Sequence, residues 1–248
     1  MTDRHLSIVT GASRGLGRGI ACALAEAGHE VLGLSRQAPP APPALAARIE
    51  QWTVDLQEAG PVAARLAEWL AAQPPERFAS ASLVNNAALL VTPGPLDAAD
   101  PQAIAAAVRS GVEAPLLLTA AFLKSTRAWP GRRRVLHVSS GLGRRAMAGS
   151  AVYCATKAAL DHLARAQVLE EANRPKGARV VSLAPGVIDT DMQVQLRGAD
   201  AAAFPDRANF VALHETGKLE SSDVAGAKVA RFLTREDFGS EAVADVRG

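Results

Sequence analysis

The feature that most constrains this chain is a rhythm. Short apolar runs of strand length alternate with longer helix-patterned stretches along the sequence. Residues 6–10 read as a strand, 15–27 as a helix and 30–34 as a second strand. Residues 51–54 read as a third strand, 59–72 as a helix and 81–85 as a fourth strand. A helical stretch over 101–126, interrupted near Gly111 and Pro115, leads to a fifth strand at 134–139. A helix at 151–172 leads to a sixth strand at 179–183, and a helix at 223–234 to a last strand at 240–245. Strands joined through helices pair side by side in parallel, with helices packed on both faces. The expectation is an α/β protein: a single-domain Rossmann fold with a parallel seven-stranded sheet. A chain of 248 residues can bury one sizeable core without a second domain. The proline-rich stretch 38–43 reads as a surface loop within that domain, because the alternation resumes beyond it. Residues 191–219 read as irregular. A connector that long reads as a substrate lid, with Met192, Leu196, Phe204, Phe210 and Leu213 to cover an apolar molecule; the alternative is a packed surface loop or an extra helix.

Composition excludes several functions. The net charge is +2 with acids and bases interspersed, which argues against a nucleic-acid surface. The longest basic run, Arg132-Arg133-Arg134, reads as a solvated turn before the fifth strand. Cys22 and Cys154 have neither metal-ligand nor disulfide spacing, and no histidine suggests a metal ligand; His137 reads as a core residue. No stretch reads as the roughly 18 apolar residues of a membrane span. The chain enters a strand pattern almost at once, with no signal peptide, so a soluble cytoplasmic protein is expected.

Ligands of such sheets bind at the carboxyl ends of the strands, and the chemically distinctive residues fall there. The first strand runs into Thr10-Gly11-Ala12-Ser13-Arg14-Gly15-Leu16-Gly17. Glycines let a backbone approach a pyrophosphate closely, and the following helix points free amides and its positive dipole end at the phosphates. At the end of the second strand stands Ser35-Arg36, where an acidic residue would favour NAD. Arg14 and Arg36 instead suit the 2′-phosphate of NADPH/NADP+; the alternative is two solvated arginines. The chain's one tyrosine, Tyr153, precedes Lys157 by four positions on a helix, so the two share a face. An ammonium beside a phenol is expected to pull the phenol below its usual pKa of about 10 and make it a proton donor.

The glycine turn, Asn85-Asn86-Ala87-Ala88, Ser140, Tyr153/Lys157 and Pro185-Gly186 occur in a fixed order. In that order the chain resembles the short-chain dehydrogenase/reductase family along essentially its whole length. Asp189-Thr190-Asp191-Met192-Gln193, Gly217-Lys218-Leu219 and Asp237-Phe238-Gly239-Ser240 are similar to the branch that contains sepiapterin reductase and benzil reductase. The resemblance implies an NADPH-dependent carbonyl reductase with Ser140, Tyr153 and Lys157 catalytic, acting on a small-molecule carbonyl substrate as a homodimer or homotetramer. It also implies cofactor contacts from Gly11, Ser13, Arg14, Gly15, Leu16, Gly17, Ser35, Arg36, Asn85, Asn86, Ala87, Tyr153 and Lys157. Asp55 and Leu56 would lie at the adenine, and Pro185, Gly186, Val187, Ile188, Thr190 and Met192 at the nicotinamide. One departure stands out: where many relatives carry a catalytic asparagine, this chain has Gly111, with Ser110 or a water to substitute for it. Arg144 and Arg145 read as a solvated loop or an anion-attracting rim, and Asp245 as a terminal aspartate or a substrate contact. Two other readings stay open: a 3-oxoacyl thioester reductase, and a non-catalytic NADP-binding regulator.

Overall fold

A computed structural model describes residues 3–247. Its strands are His5–Thr10 (β1), Glu30–Ser35 (β2), Ile49–Thr53 (β3), Ser80–Asn85 (β4), Arg132–Val138 (β5), Arg179–Ala184 (β6) and Val243–Asp245 (β7). They form one sheet in the order β3-β2-β1-β4-β5-β6-β7, every neighbouring pair parallel. The helices are Gly15–Glu26 (α1), Ala59–Ala71 (α2), Pro101–Val108 (α3), Ala114–Ser125 (α4), Ala151–Ala172 (α5), Asp191–Arg197 (α6), Arg207–Glu215 (α7) and Ser222–Thr234 (α8). The single Rossmann-like α/β domain expected from the alternation is the fold observed.

Successive strand residues point to opposite faces, and here both faces are apolar. Ile8, Leu34, Leu83, Val135 and Val180 face a core that includes Leu66, Phe122 and Ala164 of α2, α4 and α5. Val9, Val31, Val84, Leu136 and Val181 face the other, with Ile20 and Leu24 of α1 and Val229 and Leu233 of α8. This is why the strands read as unbroken apolar runs rather than alternating ones.

On that second face α1 and α8 meet backbone to backbone. A Cβ built on Gly226 would lie 2.3 Å from the carbonyl carbon of Gly19, and one on Gly19 would lie 2.2 Å from the Ser222 oxygen. Alanine gains about 1 kcal/mol of helix propensity over glycine, but a clash with main chain forces the two helices apart. Gly226→Ala is therefore expected to lower stability by about 1–3 kcal/mol, measured by chemical denaturation; an unchanged or raised midpoint would refute this packing.

Three expectations are corrected. Arg132-Arg133-Arg134 is not a solvated turn but the start of β5, paired with Ser80, Ala81 and Ser82 of β4. Arg133 and Arg134 are buried. The Arg133 guanidinium donates to the Lys176 carbonyl (2.8 Å) and lies 3.8 Å from Glu171, while Arg134 lies over the Phe238 ring, 5.8 Å from its centroid. Arginine stems lie along apolar surface while the guanidinium finds acceptors, so a basic run can open a buried strand. Second, the stretch 191–219 is not irregular; it folds into α6 and α7, whose brevity hid their period. Third, one stretch is, by length and composition, long and apolar enough to cross a membrane: the continuous helical run Pro101–Ser125. Half of it is buried in the core, and a π-helical turn at Arg109–Glu113 interrupts it.

Two histidines are sealed in the core as neutral rings. His137 accompanies Asn85 (3.2 Å) and Gln167 (2.9 Å), and His29 bonds the Ser7 hydroxyl (2.8 Å). Burial pushes both pKa values down to about 4. The unfolded chain takes up these protons near pH 6.5 and the folded chain only near 4, so stability is lost as pH falls through that window. Between pH 7 and pH 5 the loss is expected to be about 2 kcal/mol per histidine. Urea unfolding at the two pH values checks this, and equal midpoints would refute it.

Candidate active site

A cleft of about 980 Å³ runs along the carboxyl ends of the strands. At one end lies the turn between β1 and α1. Gly11 and Gly15 have φ of +69° and +52°, and a Cβ on Gly17 would fall 2.2 Å from the Gly11 oxygen. The turn is tied to the β4 loop: the Thr10 hydroxyl oxygen accepts from the amides of Asn86 (2.9 Å) and Ala87 (3.0 Å), and the Asn86 side chain donates to the Thr10 carbonyl (2.9 Å). Such a cradle, closed to any side chain and opening onto the start of α1, fits a dinucleotide pyrophosphate.

Most of the expected cofactor residues line this cleft: Gly11, Ser13, Arg14, Gly15, Leu16 and Gly17, with Ser35, Arg36, Asp55, Leu56, Asn86 and Ala87. So do Pro185, Gly186, Val187, Ile188, Thr190 and Met192. Asn85 does not. Its side chain turns inward to the Thr119 hydroxyl (3.0 Å) and His137. The two arginines part company. Arg14 is bound across the cleft to Asp191 of α6 at 2.5 Å, whereas Arg36 makes no ion pair among the described residues. The Ser35 hydroxyl donates to the Gln37 carbonyl at 2.7 Å.

At the centre, Ser140, Tyr153 and Lys157 converge. Ser140 follows β5 in extended conformation, its oxygen accepting from the Leu142 amide at 3.2 Å, and it lines the cleft together with Tyr153. Lys157 is 4% exposed and donates to the Val138 carbonyl at 2.7 Å. Its ammonium lies 5.5 Å from the Tyr153 ring centroid. The expected depression of the phenol is absent here: burial pushes Tyr153 up to about 12, against a smaller opposing effect of Ser140. The ammonium sits over the ring and spends a hydrogen on Val138, while burial lowers Lys157 itself to about 8. In this arrangement Tyr153 is a phenol held protonated.

Gly111 lies in the π turn, where an added Cβ would sit 3.3 Å from that of Thr156 on α5. The lack of a side chain at Gly111 lets the π turn and α5 lie close together. Ser110 lines the cleft, but its hydroxyl donates back to the Ala106 carbonyl at 2.8 Å.

Beyond Tyr153 the wall is apolar. Met192, Leu196, Phe210 and Leu213 of α6 and α7 line it as the sequence suggested, whereas Phe204 lies fully buried behind, stacked on Phe210 at 5.6 Å. Sequence reasoning missed Leu90, Leu142, Met147 and Asn209; the first three sit on loops without periodicity. Arg145 lines the cleft, but Arg144 turns away towards Asp161 and the Ala244 carbonyl. Asp245 is bound to Arg247 at 2.7 Å and is not among the lining residues. No cluster of three or more potential metal ligands occurs among the described residues.

The family model described as short chain dehydrogenase matches residues 6–201. The benzil reductase ((S)-benzoin forming) of Bacillus cereus is 31% identical, the match covering 93% of this chain and 94% of that protein. The sepiapterin reductase of Xenopus tropicalis is 30% identical over 95% of this chain and 93% of its own length. A crystal structure of a short-chain dehydrogenase/reductase from Burkholderia vietnamiensis is 38% identical, with a TM-score of 0.66 and 99% of each chain covered.

Proposed function

We propose, from the premise that this chain belongs to the short chain dehydrogenase family, that it is an NADPH-dependent carbonyl reductase acting on a ketone or vicinal diketone, with Tyr153 as general acid. The chain is an oxidoreductase, and its relatives include reductases of carbonyl compounds. The observation that carries the finer reading is one continuous cleft. It joins the glycine turn to Ser140 and Tyr153 and then to an apolar wall.

When bound, the dinucleotide supplies the hydride. The turn from Gly11 to Gly17 would hold its pyrophosphate, Arg36 its 2′-phosphate, and the segment from Pro185 to Thr190 its nicotinamide end. Ser140 orients the substrate carbonyl by donating a hydrogen bond to its oxygen. Tyr153 gives its proton to that oxygen as negative charge builds there. The raised pKa keeps the proton on the phenol until the developing alkoxide draws it off. Lys157 stabilises the resulting phenolate. Helices α6 and α7 serve as a lid whose Met192, Phe210 and Leu213 exclude water and favour an apolar, aryl-bearing substrate. The same reading takes the protein to be cytoplasmic and a homodimer or homotetramer.

Arg145 at the cleft favours a second reading, reduction of an anionic 3-oxoacyl thioester. The apolar wall and the turning away of Arg144 weigh against it. The deciding experiment mixes the purified protein with NADPH and benzil, sepiapterin, diacetyl, aryl ketones or an acetoacetyl thioester. Turnover of diketones and aryl ketones supports the proposal, and turnover confined to the thioester supports the second reading. Tight cofactor binding with no turnover of any would instead indicate a regulator.

The pH dependence follows from Lys157. With its pKa at about 8 and its charged form needed, kcat/KM for reduction is expected to be level below pH 8. Above it the value should fall about tenfold per unit. A profile level to pH 10 would remove Lys157 from this role.

A further inference from the structure

One buried acid remains unused by the proposed reaction. Asp161 on α5 is 1% exposed, and a buried carboxylate costs several kcal/mol unless compensated. Its Oδ1 accepts from the Ser182 hydroxyl of β6 at 2.7 Å, but its Oδ2 has no hydrogen-bond partner. The 3₁₀ turn after β5 presses on that oxygen, since a Cβ on Gly143 would lie 2.8 Å from it and 2.9 Å from the Lys157 carbonyl oxygen. The Arg144 Nε lies 3.8 Å away, too far for a hydrogen bond. Neither partner compensates a carboxylate at this depth.

Lys157 lies one helical turn before Asp161, at the spacing that places two side chains about 5–6 Å apart at Cβ. It is a buried cation whose observed acceptor, the Val138 carbonyl, carries no charge. The other ionisable groups around it are accounted for. His137 on β5 is held neutral by burial. Tyr153 is protonated, and Arg144 bears the same sign of charge as Lys157. Asp245 on β7 is bound to Arg247. From the π turn, Arg109 and Glu113 are exposed at the surface, and Ser110 and Gly111 bring no charge. That leaves Asp161 as the anion.

We propose that Asp161 is a positioning residue of this site: its buried carboxylate is the counter-charge that keeps the Lys157 ammonium protonated and aimed at the cleft. The assignment rests on Lys157 serving the proposed reduction. Burial lowers the Lys157 pKa, and Asp161 is the charged neighbour that opposes this effect without overcoming it. Ser182 and the turn at Gly143 hold the carboxylate in place, and Arg144 offsets part of its field.

The chain's lysines are Lys124, Lys157, Lys176, Lys218 and Lys228, few enough for each to be followed by NMR of ε-¹³C-labelled lysine in the full chain. The Lys157 signal is assigned by its loss in Lys157→Arg. In Asp161→Asn, which keeps shape and an acceptor for Ser182, the Lys157 midpoint is expected to fall by about one pH unit or more, and the high-pH limb of kcat/KM to move with it. Ser182→Ala removes the hydroxyl but leaves the charge, and should leave both in place. An unmoved Lys157 midpoint in a folded Asp161→Asn overturns the proposal, as does an equal shift in Ser182→Ala. Should Asp161→Asn not fold, Asp161→Ser is the second test, since it removes the charge with a smaller polar side chain: the Lys157 midpoint falls by about one pH unit or more if Asp161 is the counter-charge, and an unmoved midpoint overturns it. If the midpoint falls in Asp161→Asn while the parent protein reduces no ketone, the counter-charge stands and the reductase reading fails.

Discussion

Tyr153→Phe is expected to lower kcat for ketone reduction by about 10²–10⁴-fold, the usual contribution of a general acid, and to leave NADPH affinity within a few-fold. The substitution keeps the ring, over which the Lys157 ammonium lies, and removes only the phenol hydroxyl. Because the phenol and the Ser140 hydroxyl would grip the same carbonyl oxygen, their losses overlap. Ser140→Ala should cost less than Tyr153→Phe, and the double variant little more than Tyr153→Phe alone. Steady-state kinetics with a fluorescence titration of cofactor binding checks the set. A phenylalanine variant within tenfold of the parent would mean that the proton comes from elsewhere, and strictly additive losses would separate the two hydroxyls.

The second large effect concerns the choice of cofactor. Arg36→Asp removes one cation from the end of β2 and puts an anion in its place. A hydrogen bond to a charged group contributes about 1.5–3 kcal/mol, so the ratio of kcat/KM with NADPH to that with NADH should fall by about 10²-fold. The structure separates Arg36 from Arg14, which the sequence could only pair. Arg14 is bound to Asp191 on α6 and must leave that partner to meet a phosphate, whereas Arg36 has no such ion-pair partner among the described residues. Arg14→Gln is accordingly expected to change the ratio by less than tenfold. Equal effects of the two substitutions would mean that the bridge to Asp191 opens when cofactor binds. No effect of either would return both arginines to the solvent.

The elements whose period survives in the sequence were legible: strands buried on both faces as apolar runs, and α1, α2 and α5 as helical stretches. The glycine turn was legible because close approach of backbone demands glycine, and the Ser140, Tyr153 and Lys157 set because its spacing is rigid. What the sequence hid was three-dimensional. Asn85 and Asn86 are adjacent, yet only the second faces the cleft, because successive strand residues alternate sides and β4 ends between them. The arginines of β5 looked solvated because charge predicts exposure only when no acceptor waits inside. The phenol's pKa turned on whether Lys157 meets the hydroxyl or the ring, a matter of rotamers. Leu90, Leu142 and Met147 reach the pocket from loops, where no repeat announces a residue's neighbours.

The backbone contact of α1 with α8 bears on how the molecule is made. Helix α1 follows the glycine turn and is made well before α8, the helix it must touch. At ordinary rates of synthesis the roughly 200 residues between them take about 10–40 s to appear. Throughout that interval Ile20 and Leu24 lack their final cover from Val229 and Leu233. The nascent chain thus carries a half-clad apolar face on α1 until α8 has been made.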